Sequence, residues 1–247
     1  MTAAQVPEVL TKGQEAPKYP TEIAIDPAFP KIHTRDLRKF FAEGSEVQVA
    51  LPRSASEKHE AHKVTVAENL PLRFVQHYAP HFPGTLSQST LTLPSDYVNQ
   101  YAIENILDWF TQIVNAPGRD LPKLIVPAGS DFLTLFYYCQ AFEMLGMRRF
   151  SISFEKLLRR YVNKHALQIH ELGEVLNGLG YTHPLNQHIL AATTRVMTSE
   201  KTPVDAKWNR VKFFDQEHPT LLRGVIRDIR RVEKERKRAI REGADKP

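Results

Sequence analysis

Residues 89–114 read STLTLPSDYVNQYAIENILDWFTQIV, and the spacing of their apolar residues changes part-way along the stretch. In STLTLP, Leu91 and Leu93 alternate with polar residues, which predicts a short strand with both leucines on one face. After Tyr97 the spacing becomes three or four residues, which predicts an amphipathic helix. The apolar positions of this helix are Tyr101, Ile103, Ile106, Leu107, Phe110 and Ile113. The stretch therefore marks the point where predicted strands give way to predicted helices.

The segments on either side extend this division. Before the stretch, Asp36 is predicted to cap a short helix that Gly44 ends, and two alternating segments predict strands joined by a hairpin turn. Five residues lie at helical spacings that are typical of core positions: Trp109, Phe110, Phe136, Cys139 and Phe142. The later helices are predicted near 130–145, from Ser151 as a cap, at 164–178, at 184–197 and at 219–242. Strands followed by helices predict an α+β fold.

The order of these segments resembles that of the BTB/POZ family, a protein-interaction domain. The resemblance is carried by FFAEGSEVQVAL (40–51), AHKVTVAENLPLRF (61–74), the opening stretch, and FLTLFYYCQAFEMLGMRRFSISFEKLLRRYV (132–162). Glu46, Asn69 and Thr111 depart from the family pattern, so the chain resembles a divergent member of the kind found in fungi. The resemblance implies a BTB/POZ-like body, protein–protein binding and homodimerisation.

The chain divides into five predicted parts. A proline-containing extended arm covers 1–35, the BTB/POZ-like domain covers 36–162, and a helical extension covers 163–198. A linker or partly ordered strap is predicted over 199–218, and a basic amphipathic helix and tail cover 219–247. The arm carries prolines, which resist helix formation.

The positive charge of the chain is concentrated at its end. Of 33 Lys and Arg and 28 Asp and Glu, ten basic and five acidic residues lie from Leu221 onward, so this stretch accounts for the whole net charge of +5. The single cysteine, Cys139, excludes a disulfide framework and paired-cysteine metal motifs. We found neither a long apolar span nor a signal core, which predicts a soluble protein of the nucleus or cytoplasm without membrane contact.

No motif in the chain predicts catalysis. The sequence lacks the glycine-rich patterns of phosphate and dinucleotide sites and the nucleophile elbow, and GLGYTHP (178–184) is typical of a tight turn. Cys139 lies on an apolar helical face, where a buried, inert thiol is expected. The histidine pairs His59 with His62, His165 with His170 and His183 with His188 lack further ligands at metal-site spacing. We therefore predict no enzyme activity, no cofactor and no metal.

Residues 226–243, IRDIRRVEKERKRAIREG, are the remaining candidate for a binding element. As a helix, the region places an apolar seam on one side: Leu222, Val225, Ile229 and Val232. Its opposite side is basic: Arg227, Arg230, Arg231, Lys234, Lys237, Arg238 and Arg241. The seam could dock on the body or on a partner helix. The basic side could bind nucleic-acid phosphates, or the segment could be a solvated tail or a nuclear-import signal at 234–238.

The function predicted from the sequence is a non-enzymatic adaptor or scaffold, whose BTB/POZ-like body binds itself or another protein within a larger complex. The alternative is a chromatin- or RNA-associated factor, whose C-terminal helix binds nucleic-acid phosphates. Salt distinguishes the two, because binding by Lys and Arg to phosphates falls steeply with ionic strength.

Overall fold

Strands lie mainly in the first half of the chain and helices in the second. The computed structural model describes residues 22–25, 35–52, 63–78, 85–87, 89–93, 98–116, 121–127 and 131–244. The strands are β1 Glu22–Ile25, β2 Glu46–Pro52, β3 Lys63–Pro71, β4 Thr85–Ser87, β5 Thr90–Thr92 and β6 Leu124–Pro127. The helices are α1 Arg35–Ala42, α2 Leu72–Tyr78, α3 Gln100–Asn115, α4 Phe132–Met144, α5 Arg148–Lys164, α6 Ile169–Gly178, α7 Pro184–Thr198, α8 Val204–Glu217 and α9 Pro219–Ala244. The fold class is α+β, as predicted.

The larger sheet has the strand order β3-β2-β5-β4. The predicted strands β2 and β3 pair antiparallel, whereas β2 and β5 pair parallel. Between the pairs Val47–Leu70 and Val49–Ala67, β3 has one more residue than β2, which is a bulge. Asn69 lies in this bulge with a φ of 55°, a conformation that asparagine adopts more readily than most residues.

A second, two-stranded sheet joins distant parts of the chain. β1 pairs antiparallel with β6, from Glu22 opposite Pro127 to Ile25 opposite Leu124. β1 falls within the predicted extended arm and is indeed extended, while residues 1–21 and 26–34 of that arm lie outside the described residues. The sequence does not indicate β6, because LIVP is too short to show an alternating pattern.

The core is formed by residues of both sheets and of the helices from α1 to α9. Leu91 and Leu93 are both buried, as the alternation of the opening stretch predicts. Trp109, Phe110, Phe136 and Phe142 are at most 1% exposed, so the prediction that they are core residues is confirmed. The indole of Trp109 also donates a hydrogen bond to the Pro122 carbonyl at 2.8 Å. This bond attaches the segment before β6 to the middle of α3.

Three predicted local features are wrong. Asp36 lies within α1 instead of capping it, because the helix already begins at Arg35. Ser151 lies inside α5 and is fully buried. Gly146, at a φ of 70°, ends α4, and α5 starts soon after it at Arg148. The third is the helix that the family resemblance implies directly after His62 and Lys63, since Lys63 begins β3, the strand that the second alternating segment predicts.

The prediction of a linker over 199–218 is also wrong for most of its length. Residues 204–217 form α8, which Phe214 anchors with a fully buried ring. The guanidinium of Arg210 donates a hydrogen bond to the Leu167 carbonyl at 2.7 Å, which joins α8 to the segment before α6. Six of the fourteen residues of α8 are apolar, but Val204 and Trp208 are exposed, so the attachment of the helix depends on these tertiary contacts.

Gly178 ends α6 at a point of close approach to α4. A Cβ there would lie 2.7 Å from the Gln140 amide nitrogen and 2.8 Å from the Phe136 ring. The same amide donates a hydrogen bond to the Gly178 carbonyl at 2.8 Å. The turn predicted at 178–184 therefore follows a glycine that tertiary packing requires.

Replacing Gly178 with alanine should lower the free energy of unfolding by about 1–3 kcal/mol, because the added methyl overpacks a filled site. Gly180→Ala is the matched control, since a Cβ at that position meets no atom within 4 Å. Chemical denaturation of both variants measures the difference. Equal stabilities of the two variants would contradict the packing at Gly178.

Candidate interaction surfaces

The seam of α9 lies against the protein's own body. Val225 is 3% exposed, and Leu222 and Ile229 are partly buried against the core. α9 packs on α7 and α8, and Val232, at the far end of the seam, is half-buried. The contact of the seam in this structure is therefore intramolecular, and its use by a separate partner stays a prediction.

The turn between α8 and α9 consists of His218 alone. Its backbone amide bonds to the Phe214 carbonyl at 3.0 Å, and its own carbonyl accepts from Leu221 at 2.9 Å. The ring is 4% exposed and lies against Tyr181 and Phe213. Burial lowers the pKa of His218, so the ring is neutral at neutral pH and fits this aromatic environment. The tight turn sets the direction in which α9 leaves α8.

The predicted basic residues of α9 face away from the seam. Every one of them is exposed: Arg227, Arg230, Arg231, Lys234, Lys237, Arg238 and Arg241. From Glu233 to Arg241 all nine residues are exposed, so this part of the helix is open to solvent on every side. Two ion pairs of α9 connect Arg231 with Asp228, at 3.4 Å, and Arg236 with Glu200. The seam of α9 is thus attached to the body, and its basic side is exposed to solvent.

A second surface, which the sequence analysis missed, lies between α1 and α2. Phe40 is 51% exposed, and the guanidinium of Arg73 lies 4.7 Å above the centre of its ring. The same guanidinium donates to the Phe40 carbonyl at 3.2 Å. A shallow groove here is lined by Phe40, Phe41, Arg73, Gln76 and His77. The available signal was the adjacent pair Phe40–Phe41 on a short helix, since adjacent helical residues lie on different faces.

Gly44 allows Arg73 to lie in this position. A Cβ on Gly44 would be 2.9 Å from the Arg73 Cγ and 3.0 Å from its Cδ. The glycine after α1 therefore does more than end the helix, because the stem of Arg73 crosses directly over it. Phe41 packs inward against the Phe74 ring, with ring centres 5.7 Å apart, and holds α1 against α2. We name the exposed part of this surface, Phe40 and Arg73 with the groove beside them, the α1–α2 groove.

One group of potential metal ligands occurs within the described part of the chain. Glu143, Glu155 and His183 place one ligand atom each within 4.8 Å of one another. The Nδ1 of His183 accepts the Leu185 amide at 3.2 Å, so the neutral ring carries its proton on Nε2 and has no lone pair there for a cation. Arg159 already lies 3.4 Å from Glu155. These contacts fit an ion-pair network better than a metal centre. His59 and His62 lie outside the described residues.

The remaining candidates for chemistry are buried or structural. Cys139 is fully buried, and burial together with Glu155 and Glu143 raises the pKa of its thiol far above the usual range. A thiol in this state is a poor nucleophile, because the thiolate is the reactive form. Asn186 donates to the Leu179 carbonyl at 2.8 Å and holds the turn after α6.

Comparisons of the chain with models of protein families, with curated proteins and with solved structures find no match. Among the described residues, no helix is both long enough and apolar enough to cross a membrane. Among the described residues, the α1–α2 groove and the exposed side of α9 are two surfaces on which a function can be argued.

Proposed function

We propose that this chain is a non-enzymatic adaptor that binds another protein, or a second copy of itself, through the α1–α2 groove. The observation that carries the proposal is the exposed pair of Phe40 and Arg73, stacked at 4.7 Å and held by a hydrogen bond to the backbone. Aromatic residues and arginine are enriched at the energetic centres of protein interfaces. An exposed aromatic ring that is already fixed in place loses little conformational entropy on binding.

A BTB/POZ-like body forms part of the same proposal. The order of elements supports it: a short helix and Gly44 precede β2, β5 leads to the long helix α3, and α4 and α5 form a helix pair. Each of these elements falls in a segment that carries the resemblance. Self-association, which the resemblance implies, is the most direct use of an exposed groove at one edge of such a body.

Sedimentation velocity over a range of protein concentrations tests the proposal. We expect a concentration-dependent dimer whose dissociation constant rises about thirtyfold in Phe40→Asp, which corresponds to the ~2 kcal/mol of an interface hot spot. Trp208→Asp is the matched control, because Trp208 is 66% exposed on α8, an element distant in sequence from the groove. The control should dimerise like the native chain.

If the native chain remains monomeric, it and Phe40→Asp are each used as bait in a pull-down from nuclease-treated native extract, and the retained proteins are compared. A protein retained by the native chain and by Trp208→Asp, and lost with Phe40→Asp, supports the adaptor function with a different protein as partner. If the native chain neither dimerises nor retains any protein that Phe40→Asp loses, the proposal is overturned.

A further inference from the structure

Six basic residues of α9 form one straight row along the side opposite the seam. The six residues follow one another at intervals of four, three, four, three and four positions: Arg223, Arg227, Arg230, Lys234, Lys237 and Arg241. Residues three and four apart lie on the same face of a helix, so the row spans about 27 Å at about 1.5 Å per residue. We name this row the basic stripe, and all six of its residues are exposed.

The stripe contains charge of a single sign. The acidic residues of α9 are Asp228, Glu233, Glu235 and Glu242. Glu233 borders the stripe, three residues after Arg230 and four before Lys237, and the other three lie further around the helix. The ion pairs of Arg231 and Arg236 involve residues beside the stripe and not members of it. A helix that is merely solvated commonly mixes both signs on its exposed face, because pairs of opposite charge three or four residues apart stabilise it. An excess of six basic residues over one bordering acid instead favours contact with a polyanion.

We infer that the basic stripe binds the phosphate backbone of duplex DNA without reading its sequence. This goes beyond the proposed adaptor function and uses a different surface. The helix at residues 233–241 is exposed on every side, and a helix with its side chains is about 10–12 Å across. The major groove of B-form DNA is about 12 Å wide and admits such a helix. The major groove of A-form RNA is too narrow, which favours DNA as the duplex.

The other polyanions fit α9 less well. Single-stranded nucleic acid is bound largely by stacking on aromatic side chains, and α9 has none. An anionic membrane needs a free apolar face on the helix, but the seam of α9 is occupied by the body. An interface between the stripe and an acidic protein would lack the apolar centre that protein interfaces usually have, because the apolar residues of α9 lie outside the stripe.

Binding of a mixed-sequence DNA duplex, followed by fluorescence anisotropy at several salt concentrations, tests the inference. Six phosphate contacts predict a slope of about −5 in a plot of log affinity against log salt. Affinity should thus fall about a thousandfold between about 50 and 200 mM salt. In the double variant Lys234→Gln with Lys237→Gln, the slope should become shallower by about 2 units.

A matched double variant controls for net charge. Lys156→Gln with Lys164→Gln removes the same charge from exposed positions of α5 and should leave the slope unchanged. Duplex RNA of the same length, poly-glutamate and phosphatidylserine vesicles are measured beside the DNA. The inference is overturned if DNA does not bind at low salt, if the stripe variant binds like the control, or if another polyanion binds as tightly as DNA.

The results separate this inference from the adaptor proposal. If the chain binds DNA but neither dimerises nor binds a protein through the α1–α2 groove, the inference stands and the adaptor function is overturned. Protein binding through Phe40 without DNA binding does the reverse.

Discussion

Replacing Trp109 with alanine is expected to lower the free energy of unfolding by about 3–5 kcal/mol, the range for loss of a large buried aromatic side chain. Trp109 is 1% exposed, and its ring contacts those of Phe110, Phe142 and Phe150. The variant also leaves the Pro122 carbonyl without the indole donor at 2.8 Å. One substitution therefore opens a cavity among α3, α4 and α5 and removes the bond that holds the segment before β6.

The second tryptophan of the chain provides the control. Trp208 is 66% exposed on α8, and its replacement by alanine should change stability by no more than about 0.5 kcal/mol. Urea unfolding of both variants, followed by far-ultraviolet circular dichroism, measures the two effects. If Trp208→Ala proved as costly as Trp109→Ala, the assignment of Trp109 to the core would be contradicted.

Replacing Val225 with aspartate is expected to release α9 from the body. Val225 is 3% exposed at the centre of the seam, where α9 packs on α7 and α8. An uncompensated buried charge costs about 3–5 kcal/mol, and the chain avoids this cost when the helix that carries the charge leaves the body. Hydrogen exchange should therefore accelerate at the backbone amides of residues 219–232 while those of α3 and α4 remain protected.

Ile240 provides the matched position for this second prediction. It lies on the same helix and is 63% exposed, so Ile240→Asp introduces the same charge without burying it. Hydrogen exchange of this control should match that of the native chain. Unchanged protection in Val225→Asp would mean that the seam does not hold α9.

The two surfaces depend on these contacts to different degrees. The attached seam fixes the position of the basic stripe on the body. Val225→Asp should therefore change the position of the stripe and leave the α1–α2 groove intact. The groove depends on Phe41 and Phe74, which lie at the opposite end of the chain from α9. An adaptor built in this way would have one surface for protein and one for DNA, each controlled by separate residues.

The amino-acid sequence by itself determined the features that depend on neighbours a few residues apart. The apolar spacing of residues 101–113 predicted α3 and the burial of Trp109 and Phe110, and the spacing from Leu222 to Val232 predicted both α9 and the side it buries. Helical periodicity can be read locally, because residues three and four apart share a face whatever the rest of the chain does. The segregation of charge on α9 follows from the same rule.

Tertiary structure alone decided the features that join distant residues. The pairing of β1 with β6 connects strands about a hundred positions apart, and neither strand is long enough to show its alternation. α8 is helical although its sequence indicated a linker, because Phe214 and Arg210 find partners in the body. Likewise, Arg73 meets Phe40 across 33 positions to form the α1–α2 groove, which local spacing cannot encode. Such contacts exist only after the chain has folded, since they depend on how whole elements are arranged in space.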